Sequence, residues 1–135
     1  MKESNFKIDG KPKLIQIKFE TNKEYYFEDA IALEINNNVN VIRNSDGNPH
    51  QAIVNLTVGV FSTKDLKEVP FKIEMAIEGS FTWDEDLQKN TKLLNNMLKQ
   101  NSPAILYSYL RPLITMITAE ADMPPLVIPL MNFVE

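Results

Sequence analysis

Residues 69–81, VPFKIEMAIEGSF, are the most constraining stretch of the chain. Val69, Phe71, Ile73, Met75, Ile77 and Phe81 fall on one side; Pro70, Lys72, Glu74, Ala76, Glu78 and Ser80 fall on the other. A period of two marks a strand, and a strand with one greasy and one polar side belongs to a sheet covered on one face and wet on the other. The remaining sequence has to supply strands beside it and a cover for its apolar face.

The neighbouring strands precede it. Residues 51–62 (QAIVNLTVGVFS) set Ala52, Val54, Leu56, Val58 and Val60 on one side, and residues 13–20 (KLIQIKFE) form a shorter, partly alternating run. Residues 27–41 place Leu33, Ile35, Val39 and Val41 at even spacing; Asn37 interrupts that face, where a bulge is expected. Residues 43–49 (RNSDGNP) are a turn cluster in which Asp46-Gly47 accept positive φ, and residues 63–68 are a charged connection.

The cover follows. Thr82-Trp83-Asp84-Glu85 has capping-box form, with Thr82 as cap. Asp84 and Asp86 suit the positive end of a helix dipole, and Lys89, Lys92 and Lys99 the other end. Trp83, Leu87, Leu94 and Leu98 make one stripe. A second helix is predicted from Ser102 as cap, with Pro103 in its first turn. Leu106, Leu110, Leu113 and Ile117 keep helical spacing, flanked by Tyr109 and Ile114. Pro112 inside this helix leaves the Ser108 carbonyl without its usual partner and predicts a kink. Pro124-Pro125 end the helix, and 126–133 read as extended. Strands first and helices after give an α+β class, an antiparallel meander with C-terminal helices packed on one face, and the length of 135 residues fits one domain, 1–135.

Candidate chemistry is sparse. Without cysteine there is no disulfide, thiol nucleophile or cysteine zinc site, which suits a reducing, cytoplasmic setting. The opening MKESNFKIDGKPK has no apolar run, so no signal peptide is expected, and no stretch reaches membrane-spanning length. A net charge of −4 with mixed signs argues against a nucleic-acid partner. His50 is the lone histidine and sits in a turn, where it is expected to face solvent. The four glycines form no phosphate loop, and no metal spacing is present. Glu74 and Glu78 share the wet strand face and would be solvated there rather than catalytic. An enzyme is therefore not expected. The remaining fold-level alternative is a hotdog-like acyl-thioester hydrolase, in which Asp84 or Glu85 at a helix start would act.

The C-terminal half resembles the SecB family of bacterial protein-export chaperones. Pro103, Ile105, Leu106, Tyr109 and Arg111 stand at the positions of its Pro-x-Ile-Leu-Phe-Pro-Tyr-x-Arg helix, with Tyr107 in place of the Phe. Pro124, Leu126, Asn132 and Phe133 follow at matching spacing, and Gly79-x-Phe81 ends the last strand as in the family. The resemblance runs from about residue 51 to 133. It implies a four-stranded antiparallel sheet with helices on one face, and a homo-oligomer, a dimer or dimer of dimers. It further implies a cofactor-free, nucleotide-independent holdase for non-native or preprotein clients, with delivery to the SecA motor through an acidic outer sheet face and a zinc-carrying tail. The sequence departs from that pattern by stopping two residues after Phe133, so the helix that walls the client groove, the tail and its zinc are expected to be missing. Ala121 stands where the family has glycine, which transfers the left-handed residue to Asp122; Met123 replaces an aromatic, and Lys72 an apolar residue, while Glu74 keeps the acidic position. Shortened relatives serve toxin–antitoxin systems, so a partner-specific adaptor is the second reading.

Client-contact candidates follow from the resemblance. Tyr25, Tyr26 and Phe27 lie in the expected crossover; Ile73, Met75 and Ile77 match a strand that affects client binding and subunit pairing; Met123, Leu126, Ile128 and Met131 lie along the last segment. Glu74 and Glu78 are the candidates for partner docking on the outer face. Methionines at 75, 97, 116, 123 and 131 would give an adaptable surface, with Met75 and Met116 alternatively filling core gaps. Arg111 is expected to satisfy buried or interface carbonyls. Residues 126–133 either cover the sheet or offer an edge to an extended peptide.

Overall fold

The computed structural model describes residues 5–26, 31–43 and 47–133. Its sheet has five strands: β1 (Phe6–Ile8), β2 (Lys13–Thr21), β3 (Ile35–Arg43), β4 (Gln51–Val60) and β5 (Phe71–Trp83). The hairpin-linked strands β3, β4 and β5 form the expected meander, all antiparallel. The first strand does not lie beside β3. β1 and β2 share the far edge of β5, pairing Phe6 with Trp83 and Thr21 with Phe71 at their extremes. They are one lane broken at Gly10, whose φ of 77° lets the chain step between them. The sheet therefore has four lanes in Greek-key order, and the crossover from β2 to β3 traverses it.

The alternation of β5 is realised over its whole length, buried at Phe71, Ile73, Met75, Ile77, Gly79, Phe81 and Trp83 and partly exposed at the residues between. In register beside it, Ala52, Val54, Leu56, Val58 and Val60 of β4 are fully buried. The expected bulge at Asn37 is absent: β3 pairs with β4 without a shift from Ile35 to Arg43. The irregularity lies in β2, between Leu14 and Gln16. The strand predicted from residue 27 begins at Ile35, and Phe27, with residues 44–46 of the predicted turn, lies outside the described residues.

Helices cover the apolar face. The first cap is Asp84, not Thr82, because β5 runs on to Trp83; the Asp84 carboxylate accepts from the Leu87 amide at 2.9 Å. Helix α1 (Glu85–Lys89) is short, and Asn90 caps α2 (Thr91–Asn96) by accepting from the Leu93 amide. A π-helical turn, Met97–Asn101, joins α2 to α3 (Ser102–Glu120) without a break. Ser102 is thus helical rather than a cap, and its buried hydroxyl donates to the Leu98 carbonyl. Pro112 sits on the exposed side of α3, which continues through it. Leu94, Leu98, Leu106, Leu110 and Ile114 meet the sheet, and Gly79 leaves room for α3: a Cβ there would lie 2.8 Å from Leu106 Cδ2. No helix among the described residues is long and apolar enough to cross a membrane.

Candidate functional site

Helix α3 ends at Glu120, and just beyond it Asp122 adopts φ of 59°, taking the left-handed position as the sequence predicts. The chain then reverses and runs back along the helix. Prolines 124, 125 and 129 lack amide hydrogens, so this segment has few donors to satisfy but keeps its carbonyls. One row of α3 side chains satisfies the main chain. Thr118 Oγ1 accepts from the Leu126 amide at 2.9 Å, and Thr115 donates to the Leu126 carbonyl at 2.7 Å. Arg111 Nε donates to the Ile128 carbonyl at 3.0 Å, and the Tyr107 hydroxyl to that of Pro129 at 2.6 Å. Spacings of three and four put these residues on one helix face. Arg111 thus has the carbonyl-binding role expected of it, while the rest of the row carries no sequence signal beyond helical spacing. Burial raises the Tyr107 pKa, against an opposing pull from the Arg111 charge.

Side chains complete the docking. Ile128 is wholly buried, Phe133 packs edge-on to Tyr107 at 5.9 Å, and Asn37 Nδ2 donates to Met131 Sδ. That last contact explains the polar residue on the inner face of β3. Val127 and Leu130 point outward, 68% and 81% exposed. Two open clefts flank the end of the segment. One, of about 590 Å³, lies between Asn132-Phe133, Lys99 and the Asn37, Val39 and Val41 face of β3. The other, of about 520 Å³, lies between Met131–Phe133 and Asn101, Ile105 and Ser108.

The remaining predicted contact residues do not converge. Tyr26 is 80% exposed and Tyr25 partly buried, both in the crossover. Ile73, Met75 and Ile77 are core residues at 1%, 0% and 3% exposure, so in this packing they have no surface to offer; β5 is an inner lane between β2 and β4, and the helices cover its apolar face. Met123 and Ile128 are likewise buried, and Leu126 and Met131 half-buried. Met75 fills the core, but Met116 is exposed, contrary to a gap-filling role. Further exposed apolar residues lie elsewhere, and of these sequence reasoning offers Met116 alone for a surface. Leu14, Ile15 and Ile17 form a row on β2, which the helices leave uncovered, and Tyr109, Pro112 and Met116 form a stripe on the outer side of α3. The partial alternation of β2 was the available signal for the first.

Glu74 and Glu78 lie on the outer sheet face, as expected, directly opposite Lys18 and Lys13, and Glu20 stands opposite Lys72. Opposed charges in register stabilise strand pairs and cancel one another's field. The β2–β5 part of this face is therefore balanced rather than acidic. His50 does not simply face solvent: its Nε2 lies 3.0 Å from the Glu85 carboxylate. The two carboxylates of the hydrolase alternative are thus engaged, Asp84 as helix cap and Glu85 with His50. Among the described residues, no three His, Asp or Glu side chains gather as metal ligands.

Fold and surface define the class first: an α+β scaffold whose open antiparallel sheet is backed by one long helical rod, with exposed apolar residues beside open clefts. The family model for preprotein translocase subunit SecB matches residues 11–135. The chain belongs to the SecB family. It is 31% identical over 98 residues to uncharacterized protein MJ0357 of Methanocaldococcus jannaschii, a match taking in 70% of this chain, and the matched part spans 61% of that protein's length. In shape it is similar to the SecB-like chaperone Rv1957 of Mycobacterium tuberculosis, solved in complex with a ChAD peptide from the Rv1956 HigA1 antitoxin. The TM-score is 0.69 at 11% identity, over 95% of this chain and 88% of that one, a likeness of fold.

Proposed function

We propose that the protein is an ATP-independent holdase that binds extended apolar segments of non-native proteins. The observation that carries this reading is the coexistence of a complete core with exposed apolar rows on β2 and α3 and open clefts beside the C-terminal segment. Apolar area removed from water contributes about 25 cal/mol per Å² without regard to sequence, which suits promiscuous capture. Client contact falls to the exposed and half-exposed members of the predicted set, Tyr25, Tyr26, Leu126 and Met131, joined by Val127 and Leu130. Ile73, Met75, Ile77, Met123 and Ile128 support this surface from below.

The exposed rows on β2 and α3 are each suited to a second copy; a homo-oligomer is part of the proposal. In delivery, the balanced outer face argues for a weaker SecA contact than an acidic face gives, since Lys13 and Lys18 oppose Glu78 and Glu74. That favours, as second reading, an adaptor for one dedicated partner, a role supported by the likeness to a chaperone solved with an antitoxin peptide.

The test is aggregation of a chemically denatured protein diluted into buffer without nucleotide. Light scattering is expected to be suppressed at equimolar protein. Scattering at the control rate would remove the holdase reading, and a single stoichiometric partner recovered from the native host would favour the adaptor.

A further inference from the structure

Residues 126–133 are themselves an extended apolar stretch, and α3 holds them by the main chain. Thr118, Thr115, Arg111 and Tyr107 bind one amide and three carbonyls, so their hydrogen bonds read no side chain, although the Tyr107 ring also packs edge-on against Phe133. The one wholly buried anchor is Ile128, with Met131 and Phe133 making secondary side-chain contacts, while Val127 and Leu130 face outward. Any extended chain with an aliphatic residue at the anchor presents the same acceptors. The segment is not part of the sheet ladder, so leaving its place breaks no strand pairing. Clefts lie on both sides of Asn132 and Phe133, which gives an incoming chain room beside that end.

Building on the holdase reading, we propose that the groove on α3 framed by Tyr107, Arg111, Thr115 and Thr118 is a seat for an extended apolar polypeptide, occupied in the free protein by residues 126–133 as an internal stand-in. The tether gives the segment an effective concentration of order mM, so it outcompetes short free peptides. A long client engaging neighbouring exposed surface at the same time can displace it.

The experiment weakens the stand-in and leaves the seat intact. The probe is a fluorescent peptide of residues 124–133 carrying Val127→Lys and Leu130→Lys, which alter only outward positions. Ile128→Ala in the full chain is expected to bind this probe at least tenfold more tightly than the unmodified protein, and adding Thr115→Val and Tyr107→Phe should reverse the gain. Ile128→Val serves if the alanine variant does not fold, as judged by circular dichroism, with a smaller gain in the same direction. Because the chain has no cysteine, a label on Leu130→Cys reports the segment alone, and an unfolded client should increase its mobility. Folded variants that bind the probe no better, or a client that binds without freeing the label, overturn the seat. If aggregation is still delayed in that case, the holdase reading stands without it; if aggregation is not delayed, that reading fails by itself.

Discussion

Replacing Thr118 by valine tests the joint between α3 and the returning segment. Thr118 is completely buried; its Oγ1 accepts from the Leu126 amide at 2.9 Å and donates back to the helix carbonyls of Ile114 and Thr115, both at 3.0 Å. Valine keeps the shape and removes both functions. The helix carbonyls keep their helical amide partners, so the loss falls on Leu126. A buried donor without a partner costs about 1–3 kcal/mol, and the added methyl returns about 0.8 kcal/mol. The net expectation is about 0.2–2 kcal/mol of lost stability, or a Tm lower by roughly 1–7 °C for a chain of this size. The assay is urea denaturation followed by the fluorescence of Trp83, the sole tryptophan. The midpoint should fall at unchanged m, and Thr118→Ser, which retains the hydroxyl, should lose less. Full stability in the valine variant, or equal damage from serine, would refute the role given to this bond.

Three further outcomes follow from the packing. Gly59→Ala puts a Cβ 2.2 Å from Ser62 Oγ and 2.4 Å from Asn36 Oδ1, so it should disrupt that hydrogen-bonded pair and lower stability by about 1–3 kcal/mol in denaturant titration. Tyr107 has a folded-state pKa raised above its ordinary value near 10, so the stability it contributes is full below that pH and is lost as pH rises through the raised value; Tyr107→Phe should remove this alkaline component from the pH–stability curve. Met75→Ala should cost about 2–5 kcal/mol, measured by thermal unfolding, and should weaken client binding only in proportion to unfolding, because Met75 is core.

The fold was legible where one physical rule governed several residues at once. The alternation from Val69 to Phe81 and from Ala52 to Val60 determined two central strands and their buried faces. The helical spacing of Leu94, Leu98, Leu106 and Leu110 determined the cover, though past Leu110 the buried row continues through Ile114, read as a flank, while the expected Leu113 and Ile117 are only half-buried. Boundaries were less legible. Thr82 satisfies a capping rule as well as Asp84 does, and only the extension of β5 decides between them. Ser102 and Pro103 read as a helix start because a π-helical turn lets one rod pass through a sequence that looks like two. Candidate contacts at Ile73, Met75 and Ile77 came from family resemblance, and burial in an inner lane was already implied by their own alternation. Within the segment-holding row Tyr107, Arg111, Thr115 and Thr118, the carbonyl-binding role of Arg111 alone was legible; the partners of the other three are main-chain atoms, which leave no pattern in side-chain types.

The central claim is that apolar surface left over after the core is sealed grips non-native chains without nucleotide. Isothermal titration of the protein with a permanently unfolded polypeptide, and in parallel with the folded form of the same polypeptide, measures this at several temperatures. The account predicts saturable binding to the unfolded form alone, with a negative heat-capacity change from apolar burial. Equal binding to both forms, or no complex with the unfolded one, would contradict it.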